Sequence, residues 1–209
     1  VRHLAEMGLT ELRDRQDRAD LDILAAGITF TVYSDGRGID RSWPFDVIPR
    51  VIPASEWRRV RRGLIQRLTA LNRFIDDVYG EQRVIRDGVF PGELLENSVN
   101  YRPECRGVRP RFGVWAHICG SDLVRDADGT LYVLEDNLRI PSGVSYMLEN
   151  RLVSKRVFGD LFRRQSILPV DDYPDRLHRL LTSLAPTDTA SPNVVVLTPG
   201  VFNSAYFEH

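Results

Sequence analysis

Gly120-Ser121-Asp122-Leu123-Val124 and Leu131-Tyr132-Val133-Leu134-Glu135-Asp136-Asn137, joined through Asp126-Ala127-Asp128-Gly129, read as the two arms of a β-hairpin. An Asp-Gly pair between apolar arms is a strong hairpin signal and most often closes a two-residue loop. With Asp128-Gly129 as that loop, Asp122 stands opposite Glu135. Asn137, two residues further on, points to the same face. A four-residue loop keeps all three together; an odd-length loop breaks the arrangement.

On this register the Asp122 face also carries Ile118, Val124, Leu131 and Val133. Cys119, Leu123, Tyr132 and Leu134 take the other face. Two apolar faces predict a central hairpin. Facing carboxylates buried there cost on the order of several kcal/mol per ion unless a cation or proton compensates. The all-oxygen set Asp122, Glu135 and Asn137 suits Mg2+ or Mn2+ rather than zinc. Mg2+ held by so few protein oxygens fills its other positions with water and phosphates. The alternative is that Asp122 and Glu135 pair with arginines. The chain has 28 Lys and Arg residues, and Lys155 is the single lysine. Spacing alone leaves both readings open.

Leu138-Arg139-Ile140-Pro141-Ser142-Gly143 follows, then a helix from Val144. Pro141-Ser142-Gly143 is a turn. Ser142 is placed to cap that helix, and Gly143 permits close backbone approach to an anion. Arg139 lies near the face of Asn137. It either neutralises phosphate oxygens or pairs with Glu135 or Asp122.

The run Val133 to Tyr146 resembles the core pattern of the circularly permuted ATP-grasp proteins, a bacterial group related to glutathionylspermidine synthetase-type ligases. Gly27 to Tyr33, Pro44-Phe45-Asp46 with Ile48-Pro49-Arg50, and Gly63 to Arg67 with Ala70-Leu71-Asn72 resemble it too. So do Leu197 to Gly200 and Asn203 to His209, so the similarity runs over essentially the whole chain. The resemblance implies ATP- and Mg2+-dependent joining of a carboxylate to an amine through an acyl phosphate. It implies that Asp122, Glu135 and Asn137 hold the metal, that Arg139 acts in catalysis, and that Arg139, Ser142 and Gly143 contact the nucleotide. Metal clamping of phosphates is what phosphoryl transfer requires. Small-molecule or peptide carboxylates and amines are the implied substrates. A non-catalytic ATP-grasp-like binding or scaffold protein is the alternative.

Members of the resembled family run to roughly twice this length, with a Gly-rich phosphate loop and ATP-gripping lysines in the remainder. The expectation is therefore an N-terminal portion of a larger protein, inactive by itself. The expected fold class is α/β (α+β), an ATP-grasp-like half built on the hairpin. The expected domains are 1–184, a linker over 185–192, and the start of a second α/β unit over 193–209.

A net charge of −1 gives no electrostatic case for nucleic acid or an anionic membrane. Two cysteines, Cys105 and Cys119, make neither a disulfide framework nor a zinc site. No apolar run of membrane-spanning length and no signal peptide is visible, so a cytoplasmic location is expected. Oligomeric state is left open.

Residues 1–25 read as a polar helix with Leu4, Leu12, Leu21 and Leu24 among charges, ended by Gly27. Ile28–Tyr33 reads as a strand before a turn at Ser34-Asp35-Gly36. Residues 55–80 read as the clearest helix, capped by Ser55 and ended by Gly80. Its stripe is Trp57, Val60, Leu64, Leu68, Leu71, Ile75 and Val78. Arginines on its other faces, Arg67 included, read as a solvated face or a polar contact rather than a nucleic-acid surface. A short helix is expected at 92–95, and longer ones over 151–164, with Val153, Val157, Leu161 and Phe162 inward, and over 173–184. A strand is expected over 193–198, and Glu208 and His209 close the chain.

Overall fold

Helix α1 (Leu9–Ala25) ends in a Schellman motif. Ile28 N–H bonds the Ile23 carbonyl and Gly27 N–H the Leu24 carbonyl, both at 3.1 Å. The accompanying apolar contact is the buried pair Ile23 and Ile28. The computed structural model describes residues 6–34, 37–186 and 189–197, and they form a mixed α/β chain of helices and antiparallel hairpins. It divides into two compact units, Val1–Val51 with Ser142–His209, and Ile52–Pro141.

In the first unit, β1 (Thr29–Ser34) pairs antiparallel with β2 (Arg37–Ser42). The expected turn residues Asp35 and Gly36 lie outside the described residues. The second strand is unexpected from sequence, because Arg37-Gly38-Ile39-Asp40-Arg41 has no apolar alternation. Helices α5 (Val144–Val157), α6 (Gly159–Arg164) and α7 (Tyr173–Ser183) follow the second unit in sequence. The helix expected over 151–164 is broken at Phe158, whose φ of −122° leaves the helical range.

The core of this unit is Ala19, Ile23, Ile28, Val47, Tyr146, Val153, Val157 and Phe158, with Leu161 and Phe162 packed against it. Each large buried side chain contributes about 1.5–3 kcal/mol. On α1 the buried residues are Ala19 and Ile23, whereas Leu21 and Leu24 are exposed. Polar clamps hold the segment after β2. The Gln16 amide donates to the Phe45 carbonyl (2.6 Å) and accepts from Val47 N–H (2.9 Å). Trp43 stacks on Tyr146 at 3.9 Å and donates to Asn150 Oδ1 at 3.1 Å. The strand expected over 193–198 is not formed over the described residues 192–197, where Val195, Val196 and Leu197 are exposed. Residues 198–209, including Glu208 and His209, lie outside the described residues.

In the second unit, α2 (Ala54–Tyr79) carries the expected stripe. Val60, Leu64, Leu68, Leu71 and Ile75 are half-buried and Val78 is buried, while Trp57 is exposed. Ser55 does not cap it. The helix starts one residue earlier, behind Pro53, with no side-chain cap. Short helices α3 (Arg83–Arg86) and α4 (Gly92–Glu96) lead through 3-10 turns to the hairpin β3 (Gly120–Arg125) and β4 (Leu131–Asn137).

The hairpin loop is Ala127-Asp128-Gly129, three residues rather than two. Asp126 N–H bonds the Thr130 carbonyl at 2.9 Å, and Gly129 takes φ +86°. This is the loop that places a left-handed glycine at its last position. An odd loop should have separated Asp122 from Glu135. A β-bulge corrects it: Leu123 pairs with Val133 and Asp122 with Glu135, leaving Leu134 as the extra residue. Gly120 then pairs with Asn137.

Loop and bulge together redistribute the faces. Leu131 and Val133 join Ser121, Leu123, Arg125 and Asp136 on a half-buried face. Val124 and Tyr132 join Asp122, Glu135 and Asn137 on an exposed one. The hairpin is antiparallel as expected, but the burial of both its faces is corrected: among the described residues β3 and β4 pair only with each other, and the Asp122 face is exposed.

Candidate functional site

Asp122, Glu135 and Asn137 stand on one exposed face of the hairpin. Burial therefore no longer demands a cation there. Two exposed carboxylates at this range repel by only about 1 kcal/mol or less in water. What singles them out is that they face each other across the ladder with no positive partner between them. Among the described residues neither Asp122 nor Glu135 forms an ion pair. The hydrogen bond to Glu135 comes from Asn137 Nδ2, at 3.0 Å. That bond leaves the Asn137 amide oxygen free. Arg139 is exposed and forms no ion pair either, so the expected alternative of a bond to Glu135 or Asp122 is not formed.

The arginines go elsewhere. Arg67 of α2 meets Asp136, Nε to Oδ2, at 2.5 Å, and Arg125 of β3 pairs with Glu56 of α2. Asp136 sits between Glu135 and Asn137 but points to the opposite face, where its side chain is 6% exposed. Ser121, its cross-strand partner, donates to Asp136 Oδ1 at 2.6 Å. That hydroxyl bond, with the Arg67 guanidinium and against the effect of burial, holds the Asp136 carboxyl below the usual carboxylate range. Asn72 ties the entry to β3 onto α2. Its Oδ1 accepts from Trp115 and Ala116 N–H, both at 2.9 Å.

Gly120 lies under the exit of β4. A Cβ there would come 2.9 Å from the Pro141 Cβ and 3.8 Å from that of Asn137. Ile140, between Arg139 and Pro141, is 82% exposed with φ +50°. A β-branched residue in that region costs on the order of 1–3 kcal/mol. Ser142 and Gly143 belong to the other compact unit. There Gly143, with φ +98°, opens α5, and Ser142 makes no side-chain cap. The first N–H groups of such a helix are suited to an anion.

Asp136, Ser121 and Arg67 were not singled out as site residues from sequence. Their signal is parity, since Asp136 has the opposite pleat to Glu135 and Asn137. Among the described residues no group of three or more His, Cys, Asp or Glu is arranged to hold a metal. The hairpin set, two carboxylates and an amide, is of a different kind. Its hard oxygen donors fit Mg2+ or Mn2+ in donor chemistry.

A mixed α/β chain with unpaired oxygen donors on a hairpin is the class that fold and site define. The chain belongs to the circularly permuted ATP-grasp type 2 family, whose model matches residues 49–209. An uncharacterized protein of Synechocystis is 50% identical over 95% of this chain and 41% of its own length. An uncharacterized protein of Mycobacterium tuberculosis is 47% identical over 99% of this chain and 37% of its own. A Frankia casuarinae protein named "Putative glutamate--cysteine ligase 2-2" is 38% identical over all of this chain and 24% of its own. The chain thus spans about two-fifths of the length of the first two relatives. No described helix is long and apolar enough to cross a membrane.

Proposed function

We propose that this chain belongs to an ATP- and Mg2+-dependent ligase that joins a carboxylate to an amine through an acyl phosphate. The carrying observation is the pair Asp122 and Glu135, opposed, exposed and without an ion pair among the described residues, while the neighbouring carboxylates Asp136 and Glu56 are paired with arginine. Asp122, Glu135 and the Asn137 amide oxygen would hold the metal. Bound there, Mg2+ supplies charge neutralisation for phosphate oxygens. Arg139 belongs to the same unit, is exposed and has no ion pair among the described residues, and its guanidinium suits a phosphoryl oxygen. Ser142 and Gly143, at the start of α5, are the expected phosphate contacts, a hydroxyl donor and a backbone without a Cβ that an anion can approach closely.

Family membership supports the nucleotide, and the ligase name of the Frankia relative supports amide-bond formation between amino-acid or peptide substrates. The glutathionylspermidine-type relationship and a cytoplasmic, ATP-supplied location belong to the same proposal. The test is ATP turnover by the full-length protein with a panel of amino acids, peptides and amines. Asp122→Asn and Glu135→Gln should abolish it at unchanged fold. Turnover surviving both substitutions overturns the assignment. Nucleotide binding without turnover on any pair favours the alternative, a binding or scaffold protein.

A further inference from the structure

The hairpin is fixed to α2 at two points on its half-buried face. Arg125 reaches Glu56, and Asp136 reaches Arg67. From Glu56 to Arg67 the helix climbs about 16 Å at ~1.5 Å per residue. From Arg125 to Ser121, the cross-strand partner of Asp136, the hairpin advances about 13 Å over four residues at ~3.3 Å per residue, since Leu134 is looped out of the ladder. The two ties are a few ångströms further apart on the helix than on the hairpin, a difference within the reach of the two arginine side chains, so α2 acts as a splint along the hairpin.

The Asp136 tie lies directly beneath the candidate metal face. Its backbone neighbours are Glu135 and Asn137, which point the other way. The bond from Ser121 to Asp136 crosses the two strands one residue from the Asp122–Glu135 pair. It also lies next to the bulge at Leu134, where a strand is most free to change its twist. Resting on the metal-face assignment above, we propose that Asp136 is a positioning residue. Clamped by Ser121 and Arg67, it fixes the pleat that aims Glu135 and Asn137 at a divalent cation.

A plain charge effect makes a different forecast. If Asp136 merely adds negative potential, removing the Arg67 cation should tighten cation binding. If Asp136 positions, removing Arg67 should loosen it. The sign decides.

The experiment titrates the full-length protein with Mn2+ alone and follows free Mn2+ by electron paramagnetic resonance, with thermal melts in parallel. Glu135→Gln should remove the binding. Asp136→Ala should weaken it about 10- to 100-fold, the range for supports of metal ligands. Arg67→Met should weaken it in the same direction, and Arg67→Lys should restore most of the loss. Arg67 is half exposed, so its variants decide the matter even where Asp136→Ala does not fold. Wild-type affinity in Asp136→Ala, or tighter Mn2+ in Arg67→Met, overturns the positioning role and leaves the metal face standing. No Mn2+ binding by the wild type, or none lost in Glu135→Gln, overturns the metal face itself and the positioning role with it.

Discussion

Asp122 faces Glu135 because Leu134 is looped out of the ladder; a three-residue turn without that bulge would put Glu135 on the other side of the sheet. The pair has no cationic partner among the described residues, so it opposes the metal-free fold slightly. Asp122→Asn should therefore leave the metal-free melting temperature unchanged or a little higher, within about 0.5 kcal/mol. It should also abolish any rise in melting temperature produced by Mg2+ with nucleotide. Paired melts of the full-length protein with and without Mg2+ check both halves. A clear loss of metal-free stability would mean that Asp122 is structural.

The face of Asp122, Glu135 and Asn137 was legible from an Asp-Gly turn and a period of two, yet by a route that held only through compensation. The loop length was misread, and the bulge that repairs it leaves no mark in composition. The same slip moved Leu131 and Val133 to the wrong side and made an open face look buried. The long amphipathic helix α2 was legible because its stripe persists over about six turns. The strand Arg37–Ser42 was not, since its pairing with β1 is made by backbone groups and its side chains carry no alternation. Arg67 and Asp136 were beyond reach for another reason. Their bond joins residues 69 apart in sequence, and nothing local separates Arg67 from the other arginines of that helix.

Asn72 links α2 to the strand that carries Asp122. Asn72→Leu is close in size but leaves the part-buried N–H groups of Trp115 and Ala116 without their acceptor. At about 1–3 kcal/mol for an unsatisfied group, the variant should lose roughly 2–4 kcal/mol in chemical denaturation. Asn72→Asp keeps the acceptor and should lose distinctly less. Equal losses would show that the two N–H bonds are not what Asn72 contributes.

Gly120→Ala tests the close packing at the end of the hairpin. The added methyl group meets the Pro141 Cβ at 2.9 Å, so the Arg139–Pro141 segment or the strand end must shift. A cost of about 1–3 kcal/mol is expected, as for overpacking elsewhere. Because Asn137 is the register partner of Gly120, Mn2+ affinity should fall as well. Unchanged stability in a urea melt would show that Pro141 yields freely.

Cys119 reports on the underside of the same hairpin. Burial, and after it the nearby Asp136 carboxylate, push its thiol above the usual range. A raised pKa means less thiolate at any given pH, and the thiolate is the reactive form. Iodoacetamide should therefore label Cys119 in the folded protein more slowly than an unhindered thiol, with the pH–rate profile displaced upward. Urea should abolish that displacement. In Asp136→Asn the profile should move part of the way back toward lower pH, because the carboxylate's share is gone and burial's share remains. Peptide mass spectrometry of the alkylated protein resolves Cys119 from Cys105. A profile unmoved by Asp136→Asn would place the carboxylate too far from the sulfur to act, at odds with its position beneath Glu135 and Asn137.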